Sequence, residues 1–334
     1  MKKKILITGA DGFIGSHVVE LFVKKGYQVR AFILYNSFNS YGWFNDIDIN
    51  VKSKIDFYFG DIRNYDSVFA SMQDCSAVLH LAALIGIPYS YNTPSSYLDT
   101  NVTGTLNILQ AAKNLKLKKI VLTSTSEVYG SAQYIPIDEK HPINPQSPYA
   151  ASKVAADALG MSFYKSFNLP ITILRPFNTF GPRQSERAII PTIVNQILKK
   201  KNYLDIGNIK PTRDFTYVED KALAFLLALK SKSNIGKIIN IGSDFEISIE
   251  SLVKKIIFLT KSKVRIRIDK KRLRPKLSEV ERLFADTRLA KKIFKWNPFL
   301  NKKNNFDEAL LKTINWFKNN NQKQKINRKN EYIL

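Results

Sequence analysis

From its start the chain alternates short apolar, β-branched runs with longer stretches in which apolar positions recur every three or four residues. "KILITG", "YQVRAFIL", "IDFYFGD", "AVLHLAA" and "KIVLTSTS" have the length and composition of buried strands. The segments from about Gly12 to Lys25 and near Thr103 to Asn114 have helical spacing. Strands separated by helices imply crossover connections, hence a Rossmann-type α/β fold: a doubly wound parallel sheet with helices on both faces. From about Phe180 the rhythm breaks up. "ERAIIPTIVNQILKKK" predicts a helix, "DFTYVEDKALAFLLALKS" a turn feeding another, and "KIINIGS" a further buried strand. The expected organisation is a large N-terminal domain over 1–179 with return segments near 213–243, and a smaller C-terminal domain from 180–212 and 244–317. The apolar-poor stretch 318–334 predicts a flexible tail.

Composition narrows the class. With 334 residues, 44% apolar and 12% aromatic, the chain can bury a large core, which excludes wholesale disorder. A lone cysteine, Cys75, allows no internal disulfide and no multi-cysteine zinc site, and fits a reducing compartment. No metal is expected. The apolar run after "MKKK" is too short for a signal peptide, and "ALAFLLAL" is too short to span a membrane, so a soluble cytoplasmic protein is expected. The balance of 52 basic and 28 acidic residues, +24, invites a nucleic-acid partner. Its lysines are scattered among asparagines and isoleucines without a basic stripe interleaved with aromatics, so none is expected. An anionic small substrate would gain from the same field.

The first candidate chemistry lies in "ITGADGFIGSH". Gly9, Gly12 and Gly15 fall between the first strand and the first helix, where glycine lets the backbone turn tightly and approach a pyrophosphate held at the helix N-terminus. Asp61, closing a later strand, can accept a hydrogen bond from an adenine amino group. The acid expected at the end of the second strand, for the adenosine ribose, is missing: Phe32 falls about there. Arg30 could serve a 2′-phosphate but lies within the strand, so the cofactor expected is NAD rather than NADP.

The second is "SPYAASK". On a helix Tyr149 and Lys153 share a face, so an ammonium stands beside a phenol. That charge and the positive nicotinamide ring favour phenolate, which makes Tyr149 usable as a base. "LTSTSEVYG" brings Thr125, Ser126 and Glu127 to the carboxyl end of a parallel strand, where such sheets place their ligands. Hydroxyls and a carboxylate there can orient a sugar and move a second proton.

Together with "HLAA", "RPFNTFGPR" and "RDFTYVED", in this order from Lys4 to about Phe317, these motifs resemble the extended short-chain dehydrogenase/reductases that act on nucleotide sugars. Within that group "AALIGIPYSY", "FNTFGPRQSERAIIPT" and "PTRDFTYVED" are most similar to the nucleotide-linked N-acetylglucosamine 4,6-dehydratases of legionaminic acid pathways. The resemblance implies NAD bound by Gly9, Gly12, Phe13, Ile14, Gly15, Asp61, Ile62, Leu81, Ala82, Ala83, Asn101, Tyr149 and Lys153. It implies a smaller C-terminal domain that binds a nucleotide-diphosphate sugar through Arg213, Arg274 and Asn178, with Arg183 and Arg187 as further candidates. It implies a cycle in which Tyr149, poised by Lys153 and Thr125, takes the C4 hydroxyl proton as hydride passes to NAD. Glu127 then removes the C5 proton, water leaves from C6, and the hydride returns there. One departure stands out: the better-known deoxythymidine-diphosphate-glucose dehydratases carry an aspartate where this chain has Ser126. The same Thr-Ser-Glu run resembles nucleotide-sugar glucuronate decarboxylases, so decarboxylation competes with dehydration. A 4-epimerase and a non-catalytic dinucleotide-binding regulator rank below both. A homodimer is expected, paired through helices such as "SPYAASKVAADALGMSFYKSF".

Overall fold

The computed structural model describes residues 4–38, 40–298 and 303–330. Its strands in chain order are β1 (Lys4–Thr8), β2 (Gln28–Leu34), β3 (Ile55–Gly60), β4 (Cys75–His80), β5 (Lys119–Thr123), β6 (Ile171–Pro176), β7 (Asn178–Phe180), β8 (Tyr203–Ile206), β9 (Thr212–Tyr217), β10 (Lys237–Ile241), β11 (Glu246–Ser248), β12 (Arg265–Ile268) and β13 (Arg282–Leu283). Seven form one sheet in the order β10-β6-β5-β4-β1-β2-β3, and every pairing in it is parallel. The order reverses beside β1, which opens a crevice at the carboxyl ends of β1 and β4.

The central strands are buried on both faces, which is why they read as continuous apolar runs. On one face the helices Phe13–Lys24 and Val218–Lys230 pack through Val18, Phe22, Phe225 and Leu226. On the other, Tyr65–Met72, Gly104–Asn114 and part of Pro148–Phe167 pack through Met72, Ile108, Leu109 and their neighbours. Each fully buried side chain of this size contributes about 1.5–3 kcal/mol relative to exposure.

"KIINIGS" is the strand expected, and as β10 it returns the chain to the edge of the large sheet beside β6. "RDFTY" is a strand rather than a turn: β9 is flanked by β7, β11 and β13 in a second, four-stranded sheet. Its partners are remote in sequence and both its faces are buried, so neither a local turn signal nor alternation reveals it. A separate core gathers under this sheet from Phe180, Ile193, Phe215, Leu252, Phe306 and Leu310. The helix Lys303–Asn330 continues through most of the stretch expected to be a frayed tail, since lysine, arginine and glutamine are good helix formers without an apolar stripe. Residues 331–334 of that expected tail lie outside the described residues.

Candidate active site

Beyond β1 the chain turns at Gly9, whose φ of +62° suits glycine, and a Cβ there would sit 2.7 Å from the Ala82 nitrogen. At Gly15 a Cβ would lie 2.0 Å from the Gly9 carbonyl oxygen. The helix that opens at Phe13 and Ile14 behind Gly12 has no side-chain cap and no acid in its first turn. Its leading N–H groups and positive dipole end are therefore left for an anion, and these residues fit a dinucleotide's pyrophosphate. The facing loop is fixed from below. The Leu81 and Ala82 amides each donate to Thr8 Oγ1 at 3.2 Å, and the same hydroxyl meets His80 Nδ1 at 2.8 Å. His80 Nε2 reaches Thr105 Oγ1 at 3.2 Å. Burial, with the Lys153 charge added, holds the His80 imidazole down to about 3, so it is a neutral strut.

Asn101 sits in a π-helical turn, Leu98–Thr103. Its amide donates to the Leu84 carbonyl at 3.0 Å and to Ser152 Oγ at 2.9 Å, and its Oδ1 accepts from the Leu84 amide at 2.8 Å. It thus ties the loop that follows Leu81–Ala83 to the Tyr149 helix. Asp61 stands just past β3, where an Arg63 fork pulls its carboxyl below the usual range. The Ile62 side chain is buried beneath Gly104.

The helix Pro148–Phe167 begins behind an N-cap in which Ser147 Oγ accepts from the Ala150 amide at 3.1 Å. Tyr149 and Lys153, buried on one face of it, point into the crevice beyond β5. Thr125, extended at the end of that strand, caps the short 3₁₀ turn Ser126–Tyr129 by accepting from the Glu127 amide at 3.2 Å. The same hydroxyl lies close enough to the Tyr149 phenol to draw its pKa down. Burial pushes Tyr149 well above the usual phenol range, the neighbouring Thr125 hydroxyl opposes it, and the nearby Glu127 carboxylate adds to it. Burial lowers Lys153 to about 8, against the pull of Asp157. Tyr97 packs edge-on against Tyr149, 6.2 Å between centroids, and the charge of Arg187 reaches Tyr97.

Across the crevice Arg213, on β9, is almost fully buried. It donates to the Val280 carbonyl at 2.7 Å and to the Thr212 carbonyl at 2.9 Å. Burial lowers its pKa, and Glu127 is the leading opposing charge, which puts Arg213 and the Glu127 turn within electrostatic reach of each other. The Glu279 carboxylate lies 3.8 Å from Arg213 and 3.9 Å from Arg274. Asn178 Oδ1 is buried without a hydrogen-bond partner in the protein, and Arg274 Nη1 has its ion pair with Glu279 but no hydrogen bond.

A family model described as GDP-mannose 4,6 dehydratase matches residues 6–309. The chain belongs to this family. It is similar to a putative UDP-glucose 4-epimerase of Methanocaldococcus jannaschii, 34% identical over 323 residues that cover 95% of this chain and 99% of that one. It is also similar to the dTDP-D-glucose 4,6-dehydratase of Dictyostelium discoideum, 37% identical over 270 residues, 76% of this chain and 62% of that one. Among solved structures, UDP-glucuronic acid 4-epimerase from Bacillus cereus, in complex with UDP-glucuronic acid and NAD, matches with a TM-score of 0.85 at 30% identity, over 95% of this chain and 99% of that chain. The protein is therefore an enzyme of the nucleotide-sugar dehydratase and epimerase family with the Rossmann-type fold expected.

Seen as a member of that family, the chain brings together Thr125, Glu127, Tyr149, Lys153 and Arg213 beyond the glycine cradle, with Arg274 sharing Glu279 with Arg213 and Asn178 on β7, the strand beside β9. Arg183 is not brought in: its guanidinium donates to Glu20 on the first helix at 2.7 Å, so it ties the two parts of the molecule. Arg30 is likewise engaged, donating to Asp56 and to the Ser71 and Gln73 carbonyls at the amino end of the sheet, away from any cofactor phosphate. Phe32, placed by the sequence where the ribose acid belongs, is buried against Tyr58, and the strand runs on to an exposed Leu34 with no acid following it. Thr8 and His80 lie within the quoted "ITGADGFIGSH" and "HLAA" without being singled out there, while no motif announces Tyr97, Asp157 and Glu279, which only their packing among site residues reveals. Among the described residues no cluster of three or more His, Cys, Asp or Glu could hold a metal ion, and no helix is long and apolar enough to cross a membrane.

Proposed function

We propose that the enzyme is an NAD-dependent nucleotide-sugar 4,6-dehydratase, converting a UDP- or GDP-linked N-acetylglucosamine to its 4-keto-6-deoxy product. Glu127 carries this reading: a half-buried carboxylate whose charge acts on both Tyr149 and Arg213. Epimerisation at C4 calls for a phenol and a dinucleotide; a carboxylate beside them is needed when a second proton, that on C5, must move.

NAD, which the cradle of Gly9, Gly12 and Gly15 would hold, would supply a positive charge that favours a Tyr149 phenolate and a reversible acceptor for the sugar's hydride. Tyr149 takes the C4 hydroxyl proton, held in line by Thr125, while Lys153 supplies its ammonium one helical turn away. The C4 carbonyl acidifies C5, and Glu127 removes that proton. The C6 hydroxyl then leaves as water. Ser126 can donate a hydrogen bond to it but is a weak acid, so the proton it needs comes from Glu127, which has just gained one; as hydride adds at C6, C5 regains a proton from solvent by way of Glu127, and Tyr149 gives up the C4 proton to solvent, which leaves both groups as they began. Arg213 and Arg274 face the diphosphate, with Asn178 beside it and Arg187 near Tyr97. The motif wording supports a place in legionaminic acid formation. The same reading makes the protein a cytoplasmic homodimer, with the exposed flank of Pro148–Phe167 in the contact.

The test is incubation of purified protein with UDP- and GDP-linked N-acetylglucosamine, and separately with UDP-glucuronate, followed by mass spectrometry. A product lighter by one water, carrying deuterium at C5 when made in heavy water, is expected. Loss of carbon dioxide from UDP-glucuronate alone would move the assignment to a decarboxylase. An unchanged mass with inversion at C4 would move it to an epimerase.

A further inference from the structure

One turn beyond Lys153, on the same buried face of its helix, stands Asp157. Its Oδ2 accepts from Ser124 Oγ at 2.8 Å, at the end of β5, and from Arg175 Nε at 3.0 Å, on β6. The pair is sealed, with side chains 5% and 9% exposed. Arg175 goes on to donate from Nη1 to the Tyr129 hydroxyl at 3.0 Å, with its guanidinium over the Tyr129 ring. Tyr129 closes the turn that carries Glu127, and its hydroxyl donates to Asn240 Oδ1 at 2.7 Å. The Asn240 side-chain amide donates to the Ile137 carbonyl at 3.0 Å, and its backbone N–H to Glu139 Oε1 at 2.8 Å. A continuous polar chain thus runs beneath the crevice, from the helix of Tyr149 and Lys153 to the turn of Glu127.

We propose that Asp157 and Arg175 are positioning residues for the proton-transfer site: the Asp157 carboxylate keeps Lys153 an ammonium, and Arg175 locks the Lys153 helix to the Glu127 turn. The charge arithmetic requires such a device. Two cations, Lys153 and Arg175, are buried here; Asp157 is ion-paired with Arg175 and shares the buried helix face of Lys153, one turn away, and an isolated buried ammonium sheds its proton. The other charged or titratable groups facing this cluster are His80 from β4, which is neutral, Tyr149 on the same helix, Tyr129 with Glu139 behind it, and Glu127 with Arg213 across the crevice. None of these but Asp157 raises Lys153, whose proton is already held only to about 8. The proposal rests on the Tyr149 and Lys153 reading above but not on which sugar is converted.

Without the carboxylate, Lys153 loses its proton at lower pH, so the alkaline limb of turnover moves toward acid. In Asp157→Asn we expect this limb to move down by at least about one pH unit, with activity recovering as pH falls, and the Lys153 Nζ midpoint, read by NMR on isotope-labelled lysine without substrate, to move with it. The Arg175→Lys variant keeps the charge but not the fork, and is expected to lower kcat without moving the limb. A folded Asp157→Asn enzyme whose limb and Lys153 midpoint match the parent's overturns the proposal. Should that variant not fold, the parent decides: carboxyl NMR must find Asp157 ionised at neutral pH, and a protonated Asp157 overturns it. The NMR readings use no substrate, so a wrong product assignment leaves this test intact.

Discussion

Two lysines are buried against the same sheet, at opposite ends, and burial lowers both to about 8. Lys119 opens β5 at the amino ends and donates to Thr172 Oγ1 at 3.1 Å, to the Ser231 carbonyl at 3.0 Å and to Asn234 Oδ1. Its three protons are consumed by three neutral acceptors within the fold. Lys153 sits at the carboxyl ends with a carboxylate behind it and a phenol and an open crevice ahead. A perturbed pKa therefore marks burial in both cases. What separates scaffold from chemistry is whether the partners leave anything for a ligand.

The sharpest way to break this contrast is at the crevice. Tyr149→Phe is expected to cut turnover by about 10²–10⁴-fold with cofactor affinity retained, measured by single-turnover kinetics beside a binding titration; comparable turnover in a folded, loaded variant would empty the crevice of its chemistry. Glu127→Gln should abolish water loss while sparing oxidation at C4, seen as transient absorbance of reduced cofactor. Turnover equal to the parent's would remove Glu127 from the mechanism and leave an epimerase-like site.

At the other end the effects should fall on stability alone. Lys119→Met leaves buried acceptors unpaired and should cost about 1–3 kcal/mol in denaturant melts, with kcat unchanged. It should also flatten a pH slope. The Lys119 pKa falls from 10.5 unfolded to about 8 folded, so between those values the unfolded chain holds the extra proton and parent stability rises with pH. The variant lacks that gain. The smallest effect is expected for Arg30→Leu, about 1 kcal/mol of stability and no change in the NAD to NADP preference measured by cofactor titration. A shift toward or away from NADP would show that Arg30 reaches the cofactor after all.

The crevice is legible in sequence where its parts are contiguous. Gly9, Gly12 and Gly15 are confined to one turn, Tyr149 and Lys153 to one helical turn, and Thr125 to Glu127 to one strand end, so spacing alone groups them. Arg183 misleads because an arginine in a motif says nothing about Glu20, far away on the first helix. β9 reads locally as a turn because the strands that bury it come from three separate stretches of chain. Asp157 and Arg175 are hidden for the same reason: a buried ion pair between a helix and a strand leaves no local period.

Trp43, in the turn Gly42–Asn45 after β2, meets Trp316 of the last helix edge to face, 5.4 Å between ring centroids. The chain has three tryptophans, and the remaining one, Trp296, is sealed in the core at 2% exposure. The pair amounts to a native fluorescent gauge spanning the two ends of the polypeptide. Its emission should register any shift of the closing helix against the turn that follows β2, over a steady background from Trp296.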